Sequence, residues 1–179
     1  VIHAIVDRRR NARADVIHVR NKIIPARDLF ELAKWYVNRG DRVVVNTRAD
    51  IALAAGAVGV HLPSGSFAPR ELRPIVPAGF LIGVSCHSRE DIERAQAEGA
   101  DYAYLSPVFA PLSKQDARAP LGLDGFAAAI RGLTIPVFAL GGATPDRLGD
   151  CLAAGAAGIA GIGLVDLLEA PDANRITSP

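Results

Sequence analysis

Eight short apolar runs, each separated from the next by polar or helix-periodic sequence, constrain this chain more than any other feature. They are VIHAIVD at 1–7, DVIHVRNK at 15–22, RVVVNTR at 42–48, AVGVHLPS at 57–64, FLIGVSCHS at 80–88, DYAYLSPVF at 101–109, IPVFALGG at 135–142 and AGIAGIGL at 157–164. A strand that is apolar at consecutive positions cannot leave one face in water, so the sheet they form is covered on both sides. Between the runs lie amphipathic segments such as ARDLFELAKWYVNRG and SREDIERAQAEGA, where apolar residues recur every three or four positions and glycine closes the end. Ser88 before Asp91 predicts a capping-box start for the second of these. The phrases AGAVGVHL, EGADY and AGAAGIAG repeat one junction, a helix C-terminus running into a strand. Strand and helix in strict alternation imply parallel pairing, and eight units predict an α/β protein with a (β/α)8 TIM barrel fold.

With 179 residues, half of them hydrophobic, the chain can bury one sizeable core, so 1–179 is expected to be a single barrel domain. Two features fit that expectation poorly. The first two runs are joined between residues 7 and 15, less than the roughly 10 to 12 residues a parallel crossover takes. No convincing helix follows the eighth run, and methionine is absent. Residues are therefore expected to be lacking near 8–13.

The formal net charge of +1 argues against a nucleic-acid partner, because phosphate binding on that scale needs a basic face. Arg8, Arg9 and Arg10 read as a solvated loop. No stretch is long and apolar enough to span a bilayer and the first residues do not resemble a signal peptide, so a cytoplasmic location is expected. Cys86 and Cys151 are too few and too far apart in sequence for a disulfide framework or a zinc site.

In a (β/α)8 barrel the site lies where the strands give way to their following loops. His18, Arg20 and Lys22 alternate along the second run and so share one face, where two cations and an imidazole call for an anion. Asn46 ends the third run, and Ser85 and His87 end the fifth. In the fourth, His61 sits between Val60 and Leu62 and reads equally as a core histidine or a catalyst. Pro63 to Ser66 then open into small polar residues, with Ser64 and Ser66 facing a ligand or Ser66 capping the helix that follows. Gly141 and Gly142, with Ile162 and Gly163, form glycine-rich ends on the last two runs, where barrels place a phosphate on backbone N–H groups. Cys86 and His87 are neighbours in a strand and point to opposite faces, which argues against a Cys–His dyad. The long loop after the sixth run carries Ser113 and Lys114 and is expected to act as a lid over a substrate phosphate.

Taken in order, these motifs resemble the superfamily of thiamine phosphate synthase and the TenI-type thiazole tautomerase. HVRNK resembles the synthase's Gln-x-Arg-x-Lys strand, NTRADIALAAGAVGVHL its Asn-Asp-Arg segment and Val-His-Leu, and GVSCHS its Gly-x-Ser motif. SPVFAPLSK is similar to its Gly-Pro-x-Phe-x-Thr-x-Ser/Thr-Lys loop, and ALGG to its phosphate-binding Gly-Gly. The synthase joins a pyrimidine diphosphate to a thiazole phosphate with magnesium held by an Asp after the third strand and another after the fourth. Thr47 and Ser66 stand at those positions here, His18 replaces the Gln and Pro111 the loop Thr. LPSGSF instead matches the tautomerase pattern, although Pro107 stands where that enzyme has its proposed catalytic His.

The expected function is therefore a thiazole tautomerase of thiamine biosynthesis, an isomerase that aromatises a thiazole carboxylate phosphate by moving a proton. It would need no metal or other cofactor and would draw its catalyst from His18, His61 or His87. The expected partner is the small-molecule thiazole phosphate, with no nucleic acid or membrane, and the resemblance implies a homodimer. Two alternatives stand beside it: the magnesium-dependent synthase, and a non-catalytic homologue that binds or senses the phosphate.

Overall fold

The computed structural model describes residues 1–110 and 118–168. Each apolar run holds one strand: β1 Ile2–Val6, β2 Val16–Val19, β3 Val43–Asn46, β4 Gly59–Leu62, β5 Leu81–Cys86, β6 Tyr102–Leu105, β7 Val137–Leu140 and β8 Gly158–Gly161. All pairs are parallel, each strand pairs with the next, and β8 closes on β1. The fold is the TIM barrel that the alternation predicts.

Among the described residues, seven α-helices alternate with the strands: α1 Ala26–Asn38, α2 Ala49–Ala55, α3 Pro69–Leu72, α4 Arg89–Ala97, α5 Gly122–Ile130, α6 Leu148–Ala153 and α7 Leu164–Leu168. At the start of α4, Ser88 accepts a hydrogen bond from the Asp91 N–H at 3.2 Å. The reciprocal half of the box is displaced by one residue, because the Asp91 carboxylate accepts from the His87 N–H at 2.9 Å. Ser66 does not cap α3. Ala68 occupies that place, and its N–H is taken by the Glu71 carboxylate at 2.8 Å. The helix after β8, which the sequence seemed to lack, is the short α7, formed because Leu164 and Val165 are buried against the barrel.

The connection too short for a helix, between β1 and β2, is made by a pinned loop. The Tyr36 hydroxyl on α1 donates to the Arg8 carbonyl at 2.9 Å and accepts from the Arg10 N–H at 2.9 Å. Arg39 donates to the Arg10 carbonyl at 2.9 Å while its guanidinium lies 4.7 Å from the Trp35 ring. The Arg10 side chain pairs with Asp166 on α7, so neighbouring helices cover the face that a first helix would cover.

Apolar packing falls into three bodies. Two lie between strands and helices, one around Val19, Val43, Val45 and Leu62, the other around Ile92, Leu105, Phe126 and Ile159. The third is the barrel interior, with Ile5, Tyr102, Tyr104, Phe138 and Ala160. Gly83 faces that interior, and a methyl group there would run into the Tyr102 ring.

Candidate active site at the mouth of the barrel

Beneath the mouth, the barrel interior is aromatic and polar rather than aliphatic. The His61 ring is stacked on Tyr104, with centroids 4.1 Å apart. Its Nε2 is 2.8 Å from Ser85 Oγ and its Nδ1 is 3.2 Å from the Tyr102 hydroxyl, so both ring nitrogens are occupied. His3, which the sequence reading passed over, has Nδ1 2.7 Å from the Tyr104 hydroxyl. A signal for this network was present: Tyr102 and Tyr104 are two apart in a strand and must share a face.

Burial strips charge from these imidazoles. Desolvation lowers His3 to about 4 and His18 to about 3, the neighbouring positive groups adding to the effect. His61 is held well below the ordinary histidine value for the same reason. All three are neutral at pH 7. The two tyrosines are pushed up by burial and stay protonated.

Above this layer, the strand ends surround a cavity of about 400 Å3. The side chains expected from sequence that line it are His18, Arg20, Lys22, Asn46, His61, Ser64, Ser85, His87 and Ile162. Ile5, Tyr104, Ser106 and Arg118 join them. Arg20 is placed by continuation of parallel pairing beyond β2, its N–H donating to the Val6 carbonyl at 2.7 Å. Asn21 then shapes the loop: its amide donates to the Asp7 carbonyl at 3.0 Å, and its Oδ1 accepts from the Ile23 and Ile24 N–H groups at 3.0 and 3.2 Å. Such a turn is a habit of Asn that the sequence alone could have revealed.

The three histidines expected to be catalytic differ in their surroundings. His61 is satisfied by Ser85 and Tyr102. His18 is 1% exposed, and neither ring nitrogen has a hydrogen-bond partner. His87 donates from Nδ1 to the Ser106 carbonyl at 2.9 Å, since a carbonyl can only accept, and its Nε2 is left with the lone pair. Cys86 beside it is buried, its thiol pushed up to about 12 by desolvation, so it forms no dyad with His87.

Other expected residues lie elsewhere. Ser66 lines a separate but adjoining cavity of about 300 Å3 with Phe67, Cys86, Asp91 and Arg94, between the β4 loop and α4, which shares Pro63, Ser64 and Ser85 with the mouth. Gly141 and Gly142 do not line the mouth cavity; they let residues 107–110 pack closely against them. Both have positive φ, 90° and 62°, and a methyl group on Gly142 would run into the Ala110 carbonyl oxygen. The Val108 and Phe109 N–H groups donate to the Leu140 and Gly141 carbonyls, each at 2.9 Å. Gly163 stands in open space at the head of α7. Ser113 and Lys114 lie outside the described residues.

The positions at which the resemblance places magnesium carboxylates do not fit that ion. Thr47 offers a hydroxyl that already accepts from the Asn46 amide at 2.7 Å, and Ser66 is in the separate cavity. The mouth adjoins a second hollow, about 500 Å3, formed by Arg20, Asn21, Lys22, Asn46, Thr47 and Arg48 among others. Among the described residues, neither lining contains an Asp or Glu. Among the described residues, no three His, Cys, Asp or Glu side chains stand together as a metal site. Magnesium is held chiefly by carboxylate and other oxygen ligands, so this donor set is a poor one.

Comparison with known proteins places the chain. Residues 2–165 match the family model described as thiamine monophosphate synthase. A thiamine-phosphate synthase of Methanoculleus marisnigri is 45% identical over 156 residues, covering 85% of this chain and 74% of that protein. A putative thiamine-phosphate synthase of Geobacter sulfurreducens is 44% identical over 148 residues, covering 80% and 70%. The structure of a thiamine phosphate pyrophosphorylase from Pyrococcus furiosus superposes with a TM-score of 0.76 at 31% identity, covering 89% of this chain and 83% of that one. These relatives overturn the expected tautomerase and isomerase reading in favour of the synthase alternative, because similarity along the whole barrel outweighs one short loop, LPSGSF. Both the ordered motifs and these matches lead to one assignment: the chain belongs to the thiamine monophosphate synthase family of thiamine-biosynthesis enzymes.

Proposed function

We propose that the chain is a transferase that joins a pyrimidine diphosphate to a thiazole phosphate, releasing pyrophosphate. The reading rests on the relatives named above and on one feature of the site: Arg20 and Lys22, just beyond the end of β2, line a cavity that has no acidic side chain among the described residues. In this reaction the carbon–oxygen bond to the diphosphate breaks with its electron pair on oxygen, and the thiazole nitrogen supplies the pair for the new carbon–nitrogen bond. Charge builds on the leaving diphosphate, and cations fixed in advance around it lower the barrier. Arg20, Lys22 and Arg118 line the wall where that charge would be met. Gly163 at the head of α7 and Ile162 offer backbone N–H groups to the thiazole phosphate.

No proton is transferred in this chemistry. His18, His61 and His87 act by hydrogen bonding and shape rather than as acid and base, with the His87 Nε2 lone pair able to accept from an amino group on the pyrimidine. Pairing into a homodimer, implied by the resemblance, belongs to the same reading. The test is incubation of the full chain with both phosphorylated halves, following pyrophosphate and thiamine phosphate together. Equal release of the two supports the synthase; a diphosphate left unconsumed overturns it. The neutral Thr47 and Ser66 favour a second reading, a homologue that binds these phosphates without joining them, which the same assay separates.

A further inference from the structure

Among the described residues, every one that lines the mouth cavity and the hollow beside it is neutral or cationic. The cations are Arg20, Lys22, Arg48 and Arg118. Arg48 is committed to Asp50, with Nε to Oδ1 at 2.8 Å and Nη2 to Oδ2 at 2.6 Å. Arg20 and Lys22 differ, since neither makes an ion pair among the described residues. Elsewhere in the fold guanidinium groups find carboxylates, Arg73 with Asp101 at 2.6 Å and Arg94 with Asp91 at 2.5 Å. Lys22 is exposed, but the half-buried Arg20 guanidinium in the cavity wall, without a counterion among the described residues, is electrostatically incomplete.

The same lining is unfavourable to a divalent cation. A magnesium ion placed there would find, among the described side chains, hydroxyl and amide oxygens and imidazole nitrogens but no carboxylate, and would be repelled by the Arg20 and Lys22 charges. His18 provides a second, independent sign of a ligand. It is buried and neutral in the wall beside Arg20, and its ring nitrogens have no partner of good hydrogen-bond geometry, the Asn46 side chain of the same cavity lining being their polar neighbour.

We propose that the mouth binds a diphosphate as the metal-free anion, with Arg20 and Lys22 in the place of the magnesium that the family resemblance implies. This rests on the proposed reading for the class of ligand, and deepens it by removing the divalent cation from binding.

The probe is inorganic pyrophosphate, titrated calorimetrically into the full chain in EDTA and again in excess Mg2+. Binding in EDTA that tightens by less than about tenfold on adding Mg2+ is the expected result. Tightening of about tenfold or more, or no binding in EDTA, overturns the proposal. Arg20→Gln, with folding checked by its thermal transition, is expected to weaken binding in EDTA by at least about tenfold; a smaller loss removes Arg20 from the site. Because binding is read without turnover, a chain that holds pyrophosphate in EDTA but joins no substrates refutes the synthase reading alone. Synthesis accompanied by strictly Mg2+-dependent pyrophosphate binding refutes this proposal alone.

Discussion

The Thr47 N–H donates to the His61 carbonyl at 2.8 Å, fastening the end of β3 to β4, and Thr47 is held there with φ at 65°. A β-branched residue is a poor occupant of the left-handed region, whereas Asn and Asp tolerate it. Thr47→Asn should therefore raise stability by about 1 kcal/mol, seen as a higher urea midpoint with an unchanged slope. A lower midpoint would show that the methyl group packs more usefully than the strained backbone costs.

Acid should destabilise this barrel well before its carboxylates titrate. His3 and His18 have folded values near 4 and 3, His61 is lowered too, and an unfolded histidine titrates near 6.5. The unfolded chain therefore binds more protons below about 6.5, and the stability these groups contribute, complete above that pH, is lost as pH falls toward the folded values. Each group can add up to about 1.4 kcal/mol per pH unit to the loss. Urea midpoints at pH 7.5 and 5 should differ clearly; equal midpoints would mean that the histidines are hydrated.

Gly142→Ala should be costly despite its small size. The new methyl group would collide with the Ala110 carbonyl and approach Phe109 Cβ to 2.8 Å, at a backbone φ of 62°. A loss of about 2–3 kcal/mol is expected from crowding and left-handed strain combined. Thermal unfolding measures it, and a change below about 0.5 kcal/mol would show that the 107–110 segment gives way freely.

Tyr36→Phe isolates one hydroxyl. It would leave the Arg8 carbonyl and Arg10 N–H without their 2.9 Å partner while preserving the ring. A cost of about 1–3 kcal/mol is expected, with amide exchange accelerated first in residues 8–13. Uniform acceleration throughout the barrel would mean that this loop has no local opening of its own.

For Arg20→Gln, stability and activity should separate. Without an ion-pair partner to lose, the variant should unfold within about 0.5 kcal/mol of the parent. Pyrophosphate release should nevertheless fall by at least about tenfold, because a cation facing the leaving group is gone. Undiminished release would place that charge elsewhere on the rim.

The sequence by itself determined the eight strands, their parallel order and the end of the barrel that carries the site. Each is written in local periodicity: consecutive apolar residues demand two covered faces, and alternation along HVRNK places His18, Arg20 and Lys22 together. It also carried the family, through motifs that keep their order along the chain. Only the tertiary structure decided which partners each histidine meets. Ser85 and Tyr102, which occupy the nitrogens of His61, lie 24 and 41 residues away, and Tyr104 is 101 residues from His3. The same holds for Gly141 and Gly142, whose close approach to the 107–110 segment is made across the barrel and not along the chain. Periodicity records which face a residue takes; partners brought across a closed barrel are set by register between strands, and no local pattern contains that information.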